Sequence, residues 1–149
     1  MQSANYDRCR DGMSGETNLQ RLLSAMQPVL AAGTYVFATL PPGKAMPAHA
    51  EPLMTFREAE GTTLILTAAA AEAAALPSIF RCRIITLTVH SSLDAVGFMA
   101  AITQRLAAAG IGVNPVSAFH HDHLFVPEAR AEEAMAILRE ISSDTSPPP

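Results

Sequence analysis

The order of structural elements in the second half of the chain is the feature that most constrains its fold. The stretch CRIITLTV at residues 82–89 is apolar at most positions, which is typical of a central strand covered on both faces. A helix follows and ends at Gly110, and its predicted buried stripe consists of Val96, Met99, Ile102 and Leu106.

Two further strands and a last helix complete this half. Residues 111–119 (IGVNPVSAF) are predicted to form a strand, in which Pro115 indicates a sheet edge or a bulge. A hairpin turn leads to a third strand at LFV, and a helix then runs to about Ile141. The order strand, helix, strand, strand, helix predicts an α+β module of the split βαβ, ferredoxin-like kind.

The first half carries a similar but less regular pattern. Thr17 and Gln20 match a capping box, and one helical face follows, formed by Leu19, Leu22, Leu23 and Met26. The stretches GTYVFATL, TFREAEG and TTLILT predict extended segments, and residues 68–76 predict a short helix. We therefore expect two ferredoxin-like (βαββαβ-type) modules, each an antiparallel sheet with its helices on one face.

The boundaries follow from shifts in composition. We expect a flexible leader at residues 1–16, modules at 17–79 and 80–141, and a disordered tail at 142–149 that ends in three prolines. Each module is one element short of a complete fold. A strand shared between the halves and a strand supplied by a second chain would both complete it.

The composition excludes several kinds of partner. The net charge is −4 and Lys44 is the only lysine, so the clustered cations that bind a phosphate backbone or an anionic membrane are missing. No signal-peptide core and no apolar run of about 18 residues is present, so we expect a cytoplasmic protein. Cys9 and Cys82 are too few for a disulfide framework or a zinc site, Cys82 is expected to be a buried thiol, and no cofactor is expected.

The segment HSSLDAVG at residues 90–97 is the first candidate ligand site. A helix that begins near Asp94 would present free N–H groups and the positive end of its dipole to a ligand carboxylate. Ser91 and Ser92 add hydroxyl donors, Asp94 could hold a ligand ammonium, and Gly97 permits a close approach to the backbone. A simple N-cap made by the serines, with Asp94 in the first turn, would explain the same residue types.

The segment FREAEG at residues 56–61 is the second candidate. In an extended chain Glu58 and Glu60 share a face, where two carboxylates could bind a cationic group. A solvated edge strand that ends in a glycine turn explains them equally. No nucleophile or acid–base partner lies nearby in sequence, so we do not expect catalysis at this segment. The sequence contains no recognised catalytic constellation, and we therefore expect that the protein is not an enzyme.

The stretch FHHDHLFVP at residues 119–127 is the third candidate. It could be a metal site centred on His121 and His123, but a metal needs three or four converging ligands at about 2 Å. A hairpin in which Asp122 makes an Asx-type turn and a histidine bonds to backbone explains the cluster without a metal. We therefore assign no metal ligand, and we keep a histidine-based metal module as an alternative.

Several of these motifs together resemble a small bacterial ACT-domain family. The matching pieces are SSLDAVG, AGI-x-x-N and HDHLFVP in the second half, and LLSAMQP, GTYVF and FREAEGTTL in the first. The resemblance covers about residues 17–141 and implies tandem ACT folds. It also implies an amino-acid or similar small-metabolite ligand, a regulatory role toward a partner protein, and pairing of modules, so that we expect a homodimer.

The resemblance extends the list of candidate binding residues. In ACT domains the loop after the first strand and the first turn of the following helix line the effector site, which adds Leu93, Ala95 and Val96. Asn114 matches a position where related domains place a ligand-contacting asparagine. We therefore expect an amino-acid-binding sensor, with a protein-interaction subunit that binds no ligand as the other alternative.

Overall fold

The computed structural model describes residues 15–144, which form seven strands and four helices. The first part of the chain forms α1 (Leu19–Ala25), β1 (Pro28–Leu30), β2 (Tyr35–Leu40), β3 (Met54–Glu58), β4 (Gly61–Thr67) and α2 (Ala68–Ala73). The second part forms β5 (Ser78–Leu87), α3 (Phe98–Ala108), β6 (Asn114–Ser117), β7 (Asp122–Pro127), a 3-10 turn (Glu128–Arg130) and α4 (Ala131–Ser143).

All seven strands belong to one antiparallel sheet. Its order is β3-β4-β2-β5-β7-β6, and the short β1 also pairs with β5. The predicted α+β class and the antiparallel pairing are confirmed, but the two expected sheets are joined into one. Pro115 lies on β6, which is an edge strand, as a residue without a backbone N–H requires.

Strand β5 joins the two halves because it is long enough to serve both. Its first residues pair with β2, from Ser78 opposite Ala38 to Cys82 opposite Tyr35. Residues 85–87 pair with β1 on the same side of β5 as β2. Residues 82–87 pair with β7 on the opposite side. Strand β5 is therefore shared between the two halves, and β1 of the first half adds a strand beside the second half.

The helices cover one face of the sheet. Alternate residues of the strands, such as Leu66 of β4 and Leu87 of β5, face the helices and are fully buried. The largest core cluster joins α1, α3 and α4 to β5 and β7, whereas a smaller one joins α2 to β2 and β4. The other face carries a third apolar cluster, which includes Cys82, Ile84 and Phe125.

The predicted boundary between residues 79 and 80 falls inside β5, and the division into modules 17–79 and 80–141 stays a prediction. Helix α1, which precedes that boundary, packs against α3 and α4 of the second half. Of the predicted leader and tail, residues 1–14 and 145–149 lie outside the described residues. Glu16 forms a parallel bridge with Ser91 instead of belonging to a free leader, and α4 continues to Ser143.

Two predicted helix starts are wrong. Helix α1 is capped by Asn18, whose side chain accepts a hydrogen bond from the N–H of Arg21 at 3.0 Å, and not by Thr17. Helix α3 begins at Phe98 and not near Asp94, because Gly97 has a φ of 91° that interrupts helical geometry. Asp94 lies in a turn before the helix.

Cys82 is the buried thiol that its apolar strand predicts. It is 0% exposed, and its Sγ lies 3.4 Å from the carbonyl oxygen of Tyr35. Burial, together with the negative charge of Glu128, raises the pKa of the thiol to about 11, so the reactive thiolate is scarce near neutral pH. Cys9 lies outside the described residues. Among residues 15–144, no helix has both the length and the apolar character needed to cross a membrane.

The packing of α1 gives a testable prediction. Leu22 is 0% exposed within the core cluster of the second half, whereas the adjacent Leu23 is only partly buried. We expect Leu22→Ala to lower the free energy of unfolding by about 2–5 kcal/mol, because it opens a cavity, and Leu23→Ala to lower it by less. Urea denaturation followed by circular dichroism measures both; equal effects would show that α1 does not belong to this core.

Candidate ligand pocket at the N-terminus of α3

A small pocket lies where the segment between β5 and α3 meets the β6–β7 hairpin. Its volume is about 130 Å³. The lining residues are Ser91, Ser92, Leu93, Ala95, Gly97, Phe98, Met99, Ala100, Ser117 and Asp122. The pocket therefore combines hydroxyl groups, apolar side chains and one carboxylate.

Asp122 supplies a buried carboxylate to this pocket. It is 4% exposed, because on β7 it alternates with Leu124 and Val126 and so points toward the helices. Ser91 donates a hydrogen bond to its Oδ2 at 2.7 Å, and the Ser117 hydroxyl donates to its Oδ1. None of the salt bridges among residues 15–144 includes Asp122, and a carboxylate can accept more bonds than these two.

The start of α3 supplies the opposite polarity. The first intrahelical bond runs from the N–H of Ala101 to the carbonyl of Gly97 at 2.9 Å, so the N–H groups of Phe98, Met99 and Ala100 have no intrahelical acceptor. Within the part of the chain that the structure describes, no side chain caps this helix. These N–H groups have no acceptor among residues 15–144, and they belong to residues that line the pocket. Together with the positive end of the helix dipole, they favour an anionic group there.

The chain that precedes α1 fixes the segment that forms the pocket. Glu16 donates its backbone N–H to the carbonyl of His90 at 2.9 Å and accepts from the N–H of Ser92 at 3.0 Å. The carboxylate of Glu16 accepts hydrogen bonds from the backbone N–H groups of Thr17 and Asn18. The bond from Asn18 is the main cause of the lowered pKa of this carboxyl. Ser91 is thereby held in position to bond Asp122.

The structure brings together part of the predicted site. Ser91, Ser92, Leu93, Ala95 and Gly97 line the pocket. Asp94 and Val96 belong to the same segment but are exposed and do not line it, and Val96 is 86% exposed. The carboxylate that lines the pocket is that of Asp122, and the role of Asp94 as an ammonium partner stays a prediction.

The other predicted residues lie elsewhere. Asn114 is in register with Phe125, on the sheet face that carries no helix, and about 10 Å along β6 from Ser117. Glu58 ends β3 at the far edge of the sheet, where it accepts a hydrogen bond from Thr63. Glu60 lies in the turn between β3 and β4, so it does not continue a strand face with Glu58.

The histidine cluster is brought close to a fourth histidine. The ring centroids of His90 and His120 lie 5.9 Å apart, although the two residues are distant in sequence, and those of His120 and His121 lie 6.4 Å apart. His121 Nδ1 lies 3.4 Å from the carbonyl oxygen of Val89. Within residues 15–144, no group of three or more His, Cys, Asp or Glu side chains is arranged to hold a metal ion.

Five pocket residues were not among the predicted ones: Phe98, Met99 and Ala100 continue the predicted segment into α3, whereas Ser117 and Asp122 come from the β6–β7 hairpin. We expected Asp122 in a turn, whereas β7 begins at this residue. The signal was present in the alternation of Asp122, Leu124 and Val126, which places the carboxylate on the same face as two buried side chains. Ser117 carries no comparable signal, since only its register opposite Asp122 brings it to the pocket.

These features define the class of protein: an α+β protein with paired ferredoxin-like units and a polar pocket at a helix N-terminus. Family comparison is more specific. One ACT domain model matches residues 14–83 and a second ACT domain model matches residues 79–140. The chain belongs to the ACT domain family and carries two of these domains in tandem.

Several solved structures are similar to this chain. A protein of unknown function from Vibrio cholerae is 43% identical, with a TM-score of 0.75, and the match covers 84% of this chain and 96% of that one. A protein from Agrobacterium tumefaciens is 20% identical, with a TM-score of 0.68 and coverages of 78% and 89%. The regulatory subunit of aspartate kinase from Thermus flavus is 10% identical, with a TM-score of 0.60 and coverages of 76% and 95%. The similarity to the last two structures shows the fold alone. A search of curated proteins found no match.

The environment of His123 predicts a pH dependence of stability. Its Nδ1 atom lies 3.0 Å from the hydroxyl oxygen of Thr86. Burial lowers the pKa of His123 below its ordinary value of 6.5, and the nearby charge of His121 lowers it further. Because the folded-state pKa lies below the unfolded one, this residue stabilises the fold above about pH 6.5, and its contribution is lost as the pH falls through the folded value.

We therefore expect the melting temperature of the wild type to fall more steeply between about pH 7 and pH 5 than that of His123→Phe. Thermal melts followed by circular dichroism test this. The same change at the exposed His120 is the matched control and should leave the slope unaltered. If the melting temperature changed with pH equally in the wild type and in His123→Phe, the lowered pKa of His123 would not be the cause of the pH dependence.

Proposed function

We propose that this protein binds a small amino acid in the pocket at the N-terminus of α3 and acts as a regulatory or sensor module. One observation carries the proposal: the buried carboxylate of Asp122 shares the pocket with the unpaired N–H groups that begin α3. A ligand that carries an ammonium group and a carboxylate a few ångströms apart complements both.

The physical chemistry of the two groups favours such a zwitterion. A carboxylate out of contact with water is costly unless it is paired, and two serine hydroxyls compensate less well than a charged donor would. A ligand ammonium would complete the environment of Asp122. The ligand carboxylate would accept bonds from the N–H groups of Phe98 and Met99, and the absence of a side chain at Gly97 lets it come close.

The size and walls of the pocket restrict the ligand further. A volume of about 130 Å³ lies below the range of roughly 300–1,000 Å³ that is typical of small-molecule pockets. Leu93, Ala95, Phe98 and Met99 contribute apolar atoms to the lining. These limits favour an amino acid with a short, uncharged side chain over a large or strongly charged one.

A regulatory role requires that another molecule respond to the bound state. The segment that forms the pocket exposes apolar side chains, with Leu93 68% and Val96 86% exposed. A ligand that orders the segment around residues 91–97 would fix these side chains relative to one another. In our proposal a second copy of the chain or a regulated protein reads that arrangement, which is how binding shifts a population between states. We assign no catalytic role to any residue.

The proposal is tested by a thermal-shift screen of the twenty amino acids, followed by calorimetric titration of any hit. A ligand at about 100 times its dissociation constant should add roughly 2.7 kcal/mol of stability. We expect Asp122→Asn, which keeps the shape of the side chain, to weaken binding by about 2 kcal/mol or more, because it removes the charge that faces the ligand ammonium.

Asp94→Asn is the matched control, since it removes an exposed carboxylate only a few residues from the pocket. It should leave the affinity within about twofold, as expected for an exposed charge. The N-acetyl and amide forms of the ligand should each bind more weakly than the free amino acid. Loss of binding in Asp94→Asn with retention in Asp122→Asn would refute the proposed geometry, and no shift with any amino acid would refute the proposed ligand class.

A further inference from the structure

The face of the sheet opposite the helices is strongly curled. Strands β3 and β6 are its two edges, separated by five interstrand steps, or about 24 Å if the sheet were flat. Yet Met54 of β3 and Val116 of β6 line the same cavity on this face. The sheet therefore bends until its edges approach each other, so that this concave face resembles an open barrel.

The concave cavity is larger and more apolar than the pocket at α3. Its volume is about 350 Å³, within the range of small-molecule sites. Its base consists of Ile84 and Phe125, which are 4% and 2% exposed although no helix among residues 15–144 covers this face. The curl itself removes these side chains from water, and no Lys, Arg, Asp or Glu belongs to the lining.

One polar pair interrupts the apolar lining. The Nδ1 atom of His123 lies 3.0 Å from the hydroxyl of Thr86, and both residues line the cavity. Among residues 15–144, the Nε2 atom of this ring makes no hydrogen bond. Burial lowers the pKa of His123, so the ring is neutral near pH 7 and offers a single uncharged hydrogen-bonding atom.

We infer that this concave cavity is a second binding site, for a small uncharged molecule with an aromatic or branched apolar body and one hydrogen-bonding group. The apolar base would take the body, and His123 Nε2 would bond the polar group. An amino-acid zwitterion is disfavoured here because no charged side chain would compensate its two charges. The inference depends on a different face of the sheet and stands whether or not an amino acid binds at α3.

Indole is a suitable probe because it is a planar aromatic molecule with one N–H, and because the chain contains no Trp to obscure its emission. On titration with the full-length protein, indole fluorescence should shift to the blue and saturate. Ala118→Phe places a large side chain at the lining of the cavity and should abolish the saturable shift. Ala107→Phe, the same change at an exposed position of α3, should retain it.

A second variant tests the polar contact. His123→Phe keeps an aromatic ring but removes Nε2, so we expect indole affinity to fall about fivefold, the effect of one neutral hydrogen bond. Naphthalene, which has no donor, should bind the wild type and His123→Phe equally. Circular dichroism melts establish that each variant is folded.

Nuclear Overhauser contacts on the wild type make the test independent of the variants. Contacts from indole to the methyl groups of Met54, Ile84 and Val116 would support the concave site. Contacts to Leu93 or Met99 would place the probe at α3 and overturn the inference, as would the absence of saturable binding. If indole bound only after a dimer had been dissociated by dilution, a second copy of the chain would fill the cavity. That result would also overturn the inference.

Discussion

The pairing of β5 with its neighbours is the constraint on which the rest of the structure depends. This strand bonds to β1 and β2 on one side and to β7 on the other. Its side chains alternate, so that Ile85 and Leu87 face the helices while Cys82 and Ile84 face the concave surface. A slip of one residue would exchange these two sets and destroy both apolar clusters, so the register is strongly specified.

The sequence predicted the elements with strong periodicity and failed where one residue decides the backbone. The apolar run of β5 and the buried positions Ile102 and Leu106 of α3 were both visible, whereas Val96, predicted in the same stripe, lies before the helix and is exposed. The start of α3 was misplaced because Gly97 adopts a left-handed conformation that periodicity does not encode. The packing of α1 on the second half could not be predicted, since its apolar stripe fits either core.

The two carboxylates near the pocket differ in how far the sequence could reveal their positions. Asp94 lies inside the motif and has the residue type that a ligand ammonium needs, but its turn directs it to solvent. Asp122 lies outside the motif, and its position is set by alternation along β7 and by pairing with β6. Burial distinguishes them physically, because a charge removed from water requires a partner whereas an exposed charge is already solvated.

Strand β7 places the two proposed sites one residue apart on opposite faces of the sheet. Asp122 points to the pocket beneath the helices, and His123 points to the concave cavity. Each is bonded to the same neighbouring stretch of chain, Asp122 to Ser91 and His123 to Thr86. A ligand that shifts or stiffens this part of β7 from one face therefore acts directly on the lining of the other, with no long chain of intervening residues. If binding at one site changes the affinity at the other, the size of that change would report how rigidly β5 and β7 are paired. Both ligands would act on these same two strands.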